Sequence, residues 1–469
     1  MTKSILAVVT AAALLAGCAG LRPDYVKPTV DLPTTWVDVP ADGARAQGAQ
    51  WWKVYGDPVL DRLIDEALAG NPNVMLAVAR VDEARATLAS TSAEQLPYVT
   101  GDLNSNRTRL SQRGATPLPP GVNPLSNDTR VRAAVSYELD LWGRLRNATE
   151  AARAELLATE AARETVRTTL TSDVAQGYFA LRALDGQLAA TRRSLQTRSE
   201  TLDLQRKRVQ LGDISELDLR QQEAEVAAAR AQVPALERQR AQQESALAVL
   251  LGRSPRAIYE GAIDAGRDAD ARSPAIVVPA GLPSDLLLRR PDLLETEQRL
   301  IAAKARIAVA RAAYFPTISL TGYLGSESVA LGDLFSGPAG IWQVAVGLSQ
   351  TIFGGGRIDA QVQAATARER QALAQYQRAI QTAFREVRDA LVAQAKAREQ
   401  LEAETQRVAA LSEALRLARL RYDNGIASQL DVLDAERNLL SAELNRIDAV
   451  RAQRAAIADL FKALGGTWN

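Results

Sequence analysis

Between Val131 and Leu141 apolar and polar residues alternate. Val131, Ala133, Val135, Tyr137, Leu139 and Leu141 hold the odd positions, with Arg132, Ala134, Ser136, Glu138 and Asp140 between them. A period of two sends successive side chains to opposite faces, which predicts a strand with one apolar side. About 11 residues is the length a tilted strand needs to cross a bilayer. The pattern returns with Trp342, Val344, Val346, Leu348 and Ile352 against Gln343, Ala345, Gly347, Ser349 and Thr351. Shorter alternating partners precede each, at Tyr98–Leu103 and Thr317–Leu324. The expectation is one hairpin over 97–142 and another over 316–353. A half-buried sheet in a soluble protein has the same period. A water-filled lumen, however, gives Glu138 and Asp140 a reason to face one side.

The remaining patterns are helical. Leu60, Leu63, Ile64, Ala67 and Leu68 recur at i, i+3, i+4, i+7 and i+8; Gly70-Asn71-Pro72 breaks that helix and a second runs to Glu94. Arg144 to Leu211 contains no proline over 68 residues, enough for a helix of roughly 100 Å. Leu188, Leu195, Leu202 and Val209 step by seven, as do Leu401, Val408, Leu415 and Tyr422. A strict seven-residue step imposes a left-handed supercoil. Tyr376, Ile380, Phe384, Val387 and Leu391 advance at about 3.7, which removes that twist. Gly212 and Gly425 are natural helix stops, and Ser215 and Ser428 natural N-caps, with Asp218 and Asp431 three residues on.

These patterns occur twice. Gly143, Gly212 and Gly252 recur as Gly356, Gly425 and Gly465, each 213 positions later (356−143, 425−212, 465−252). Asn71-Pro72 recurs as Arg290-Pro291, 219 later (290−71). One structural unit has been duplicated. The expected organisation is a signal peptide over 1–17, an extended arm over 18–57 and a first repeat over 58–252. An equatorial linker over 253–283 and a second repeat over 284–466 follow. Each repeat holds a hairpin, a long helix (144–211, 357–424) and a returning helix (216–252, 429–464). Trp51 and Trp52 are placed to anchor the arm. The span from Pro97 to Gly143 exceeds that from Pro316 to Gly356 by six residues (46 against 40), in the Pro/Gly/Asn-rich stretch 111–128, so the first hairpin should carry the longer outer loop.

Composition narrows the function. Lys and Arg number 56 against 55 Asp and Glu, a net charge of +1 that points to no nucleic-acid partner. There is no His, so His-based catalysis and His metal ligands are excluded. No nucleophile–base pair, metal cluster or nucleotide loop is visible, and the chain reads as neither an enzyme nor a cofactor or metal binder. The single Cys, Cys18, excludes an internal disulfide. It follows Lys3, an apolar run from Ile5 to Ala16, and Gly17. Leu15-Ala16-Gly17-Cys18 resembles the bacterial lipobox, which implies lipidation at Cys18; Ala19 implies sorting to the outer membrane.

The layout as a whole resembles the TolC-like outer-membrane efflux family, closest to its lipoprotein branch serving resistance–nodulation–division pumps. The resemblance rests on Pro23-Asp24-Tyr25-Val26-Lys27-Pro28 after Cys18, and on Trp51-Trp52 before Asp57-Pro58-Val59-Leu60. It rests above all on Gly281-Leu282-Pro283-Ser284-Asp285-Leu286-Leu287-Leu288-Arg289-Arg290-Pro291-Asp292, with Tyr314-Phe315-Pro316 and Phe353-Gly354-Gly355-Gly356-Arg357. It implies a mainly α fold with membrane β: three chains forming a twelve-stranded β-barrel continuous with a twelve-helix periplasmic α-barrel. Four strands per chain cannot close a barrel alone.

Tyr422-Asp423-Asn424-Gly425 and Leu430-Asp431-Val432-Leu433-Asp434 match the family's gate segment. The resemblance implies Asp431 and Asp434 as gate carboxylates with raised, coupled pKa values. It also implies a tie between Tyr422 and Asp218. Asp431 and Asp218 equally fit helix capping, and both roles stay open. Asp434 lies one turn deeper, and its repeat counterpart is Gln221 (434−213). A basic residue that some members carry after the turn glycine is absent. The turns Gly212-Asp213-Ile214-Ser215 and Gly425-Ile426-Ala427-Ser428 are the expected docking surface for a periplasmic adaptor. The resulting expectation is a passive, homotrimeric exit duct in the outer membrane, lipid-anchored and reaching into the periplasm. It would take drugs or other small toxicants from an inner-membrane pump through an adaptor. A duct for type I protein secretion and a structural coiled-coil lipoprotein are the alternatives; the lipobox and the 281–292 run weigh against the first, the alternating strands against the second.

Overall fold

A computed structural model describes residues 50–115, 118–261, 263 and 290–466. Cys18, the segment 23–28 and most of the 281–292 run lie outside these residues. The chain divides into two compact units. One comprises Arg80–Glu160 and Glu295–Tyr376; the other contains the remaining described residues.

The first repeat contributes α1 (Pro58–Gly70), α2 (Pro72–Ala93), β1 (Tyr98–Arg109), β2 (Leu125–Glu138), α3 (Arg144–Leu211) and α4 (Glu216–Leu250), followed by a short α5 (Pro255–Glu260). The second contributes α6 (Pro291–Ala312), β3 (Thr317–Ser328), β4 (Gly340–Ser349), α7 (Arg357–Asp423) and α8 (Gln429–Ala463).

In the first unit the strands form one antiparallel sheet ordered β1-β2-β3-β4. The two hairpins join through β2 and β3, where Ala133 stands opposite Leu324 and Val135 opposite Gly322. Register puts Val99, Leu103, Val131, Val135, Leu320, Leu324, Trp342, Val344, Val346 and Leu348 on one face. The strand limits differ from the sequence expectation. β2 starts six residues before Val131 and ends at Glu138, so Asp140 and Leu141 lie beyond it. The cause is the start of α3. Arg144 forks onto both Glu138 carboxylate oxygens at 2.9 and 2.8 Å, and Asp140 accepts the Arg146 amide at 2.8 Å. These acids organise the strand-to-helix turn rather than a lumenal face. β4 likewise ends at Ser349, before Thr351 and Ile352. Trp142 stacks on Phe315 with centroids 4.8 Å apart and donates to the Pro316 carbonyl, tying the two hairpin bases together.

The second unit is built around aromatic residues. Trp51 and Trp52 are buried in a 3-10 turn, Trp51–Tyr55, and Trp51 stacks on Phe461 at 4.9 Å. Leu60, Ile64, Val174, Tyr178, Leu247, Ile457 and Leu460 complete this core. Asp57 caps α1 by accepting the Val59 and Leu60 amides, while its other oxygen accepts from Tyr178 and Arg182. The duplicated Pro positions have a shared purpose. The Asn71 side chain donates to the Leu250 carbonyl at 2.8 Å, and Arg290 donates to the Ala463 carbonyl at 2.7 Å. Each repeat thus closes the end of its returning helix with the residue before its Pro.

Candidate functional site

The two turns that reverse the long helices are built alike. Gly212 and Gly425 have φ of +79° and +71°, the left-handed region that glycine enters without penalty. Asp213 and Ile426 amides then reach back to the carbonyls of Arg208 and Arg421, closing the last helical turn. Ser215 accepts the Asp218 amide at the start of α4, and Ser428 the Asp431 amide at the start of α8. Only the second turn forms a complete capping box, because the Asp431 carboxylate also accepts the Ser428 amide at 2.8 Å. Leu211, Leu217, Ile426 and Leu430 are exposed around these turns.

Asp431 therefore acts as a cap within this chain. The Ser428 hydroxyl and amide hold its carboxyl below the usual carboxylate range, opposite to the raised value the gate reading implies. Asp434 is ion-paired with Arg437 on the next turn of α8. Tyr422 and Asp218 are not brought together. The Tyr422 hydroxyl accepts from Gln205 and Arg208, each at 3.3 Å, whereas Asp218 bonds to Ser215. The link expected between them is replaced by donors from α3.

Sequence reasoning missed the polar seam behind the turns. Gln205, Gln222 and Gln429 are buried and chained: Gln205 donates to Gln429 at 3.2 Å, Gln429 to Gln222 at 3.4 Å, and Gln222 to the Arg198 carbonyl at 2.9 Å. Further from the turns, Arg198 is 4% exposed and binds Glu225 Oε2 at 2.7 Å. Its Nε lies 4.0 Å from Glu436, which Arg419 binds at 2.7 Å. Arg437 lies 3.5 Å from the second oxygen of Glu225. This cluster joins α3 and α4 of the first repeat to α7 and α8 of the second. A signal for it exists in the sequence: Thr191, Arg198 and Gln205 step by seven, each three residues after a seam leucine. Polar residues at that core position fix pairing register at some cost in stability. In the second repeat, Arg198 and Gln205 correspond to Leu411 and Ala418 (198+213, 205+213).

The sheet is the second functional feature. Its apolar face is uncovered: Leu103, Leu324, Trp342, Val344 and Val346 are all at least two-thirds exposed. On the other face Arg132 pairs with Asp102 at 3.1 Å and lies over the Tyr323 ring, and Arg130 pairs with Glu327 at 2.8 Å. A face of aliphatic side chains and Trp opposite a face of ion pairs suits a wall between lipid and water.

The sequence matches the family described as "Outer membrane efflux protein" over residues 63–253 and 282–466. It is 36% identical over 475 residues to the toluene efflux pump outer membrane protein TtgC of Pseudomonas putida, covering 100% of this chain and 96% of that one. The probable outer membrane lipoprotein SilC of Salmonella typhimurium is 33% identical over 473 residues, with 100% of each chain covered. The fold is similar to that of the Campylobacter jejuni CmeC outer membrane channel, with a TM-score of 0.90, 26% identity and coverage of 96% of this chain and 95% of that one. The chain belongs to the outer membrane efflux protein family.

Proposed function

We propose that the protein is the passive exit duct of a tripartite pump of the resistance–nodulation–division class, and that three copies close one barrel through their sheets. The observation that carries this reading is the two-faced sheet. In a single chain β1 and β4 are its outer strands. Unpaired backbone groups in lipid cost several kcal/mol each, so such edges must be joined between copies. The ion-paired face then lines the lumen, and the apolar face meets lipid.

Lipidation of Cys18 holds the chain at the outer membrane; SilC, named as a lipoprotein, supports this. The rest of the molecule reaches into the periplasm. The exposed apolar fringe at 212–215 and 425–428 is where the adaptor docks. Cargo is small, apolar or amphipathic toxicants, in keeping with the toluene pump assignment of TtgC. Selection and energy reside in the pump. Around the channel axis, Asp431 and Asp434 of each copy form the narrow periplasmic end.

Conductance in planar bilayers tests the duct and its gate together. Native protein should migrate in detergent at three times the mass of the processed, lipidated chain and give small, rare openings. Asp431→Ala combined with Asp434→Ala should raise single-channel conductance. A monomeric mass would refute the assembly, and unchanged conductance would refute the gate.

A further inference from the structure

We propose that Arg437 sets the charge of the narrow end: its guanidinium is shared between Asp434 and Glu225, so that one side chain governs both ion selectivity and the lock between the repeats. This rests on the gate reading above. Nη2 of Arg437 binds Asp434 on its own helix, while Nη1 lies 3.5 Å from Glu225 Oε1 on α4. Glu225 is held in place from behind. Its other oxygen is bound at 2.7 Å by Arg198, which is buried, and Arg198 also donates to the Glu225 carbonyl.

Charge in this cluster balances. Arg198, Arg419 and Arg437 face Glu225, Glu436 and Asp434. Arg198 and Arg419 are committed to Glu225 and Glu436, which leaves Arg437 as the cation that offsets Asp434. Both members of the Asp434–Arg437 pair are about half exposed, at 51% and 52%. Exposed pairs of this kind are weak, so the guanidinium can change partner at small cost. It has room to do so. Arg437 and Glu225 line an open groove of about 370 Å³ whose walls include the small side chains of Ala228, Ala229 and Ser441.

The device is confined to the second repeat. The first-repeat counterparts of Asp434 and Arg437 are Gln221 and Ala224 (434−213, 437−213), which carry neither charge. While Arg437 holds Asp434, that carboxylate adds little free negative charge to the pore mouth beyond that of Asp431. When Arg437 moves to Glu225, Asp434 is released as an acceptor for cations and α8 is drawn toward α4. A cation at Asp434 would favour the second arrangement, because it replaces Arg437 there.

Reversal potentials in a KCl gradient, recorded with single-channel conductance on the full-length protein in bilayers, test this. Arg437→Gln should raise the potassium-to-chloride permeability ratio at least about twofold, because one carboxylate per chain loses its counter-charge at the constriction. Arg437→Lys should keep the native ratio. Glu225→Gln should raise conductance without raising the ratio, since Arg437 then stays on Asp434. An unchanged ratio in Arg437→Gln overturns the proposal, even if conductance rises, because a merely structural role would move conductance alone. If Asp434→Ala alters neither quantity, the gate reading itself fails. If Asp434→Ala lowers the ratio and Arg437→Gln leaves it unmoved, only the role of Arg437 fails.

Discussion

Gly212 and Gly252 end their helices with the same backbone geometry but in different surroundings. At Gly212, with φ of +79°, a Cβ would meet nothing within 4 Å. At Gly252, with φ of +72°, it would fall inside contact distance of the Gly70 carbonyl and 2.9 Å from the Asn71 amide nitrogen. Gly212→Ala should therefore cost only the left-handed penalty, about 1–2 kcal/mol. Gly252→Ala adds a backbone collision where α1 ends and should cost about 3 kcal/mol or more. Thermal unfolding of the detergent-solubilised protein separates them; equal shifts would show that α1 yields freely. The duplicated spacing made both glycines visible in the sequence, but the reason for Gly252 is a long-range contact that no local pattern encodes. Asp431 shows the same limit. Its position three residues after Ser428 was compatible with cap and gate, and only the Ser428 amide bond identifies a cap. Gln205 was legible in principle, since it continues the seven-residue step of Thr191 and Arg198. Apolar periodicity alone passes over it because the residues that matter there are polar.

Among the elements, the sheet depends on the seam between its two hairpins. Gly325 on β3 faces Arg132 of β2, and a Cβ there would collide with the Val131 carbonyl and come within 2.7 Å of the Arg132 Cα. Gly101 on β1 has open space around its missing side chain. Gly325→Ala should split β2 from β3 and sharply reduce the folded, membrane-inserted fraction. Gly101→Ala should insert normally, since an extra methyl on the apolar face only adds apolar surface. Cell fractionation followed by semi-native electrophoresis reads both; normal insertion of Gly325→Ala would mean the strands can separate locally without loss of the sheet. Alternation revealed which side chains share a face, because strand period is a local property. It misjudged where the strands end, because Glu138 and Asp140 continue the alternation while serving Arg144 and Arg146 instead. The long helices were readable almost residue by residue, since 68 residues without Pro leave the backbone few alternatives.

At the scale of the whole chain, duplication created two clasps that have since diverged, and their difference can be measured. Asn71 holds the first returning helix with one neutral hydrogen bond to Leu250, while its side-chain oxygen accepts the Asn73 amide. Arg290 holds the second with a bond to Ala463, but its guanidinium also binds Asp292 and Glu386, each within 3 Å. Arg290 is 6% exposed, whereas the two carboxylates keep part of their hydration. Asn71→Ala removes a neutral group and should cost about 1–3 kcal/mol. Arg290→Ala leaves two carboxylates facing a site without its cation, beside a helix end whose carbonyl has lost its donor. Its cost should be about 3–5 kcal/mol. Arg290→Lys should fall between, because an ammonium keeps the charge but cannot reach Ala463, Asp292 and Glu386 together as the planar fork does. Chemical denaturation of the intact assembly at fixed protein concentration gives the order. If Asn71→Ala proved as damaging as Arg290→Ala, the charges around Arg290 would contribute nothing beyond its bond to Ala463, and the two repeats would be closed by equivalent means despite their different residues.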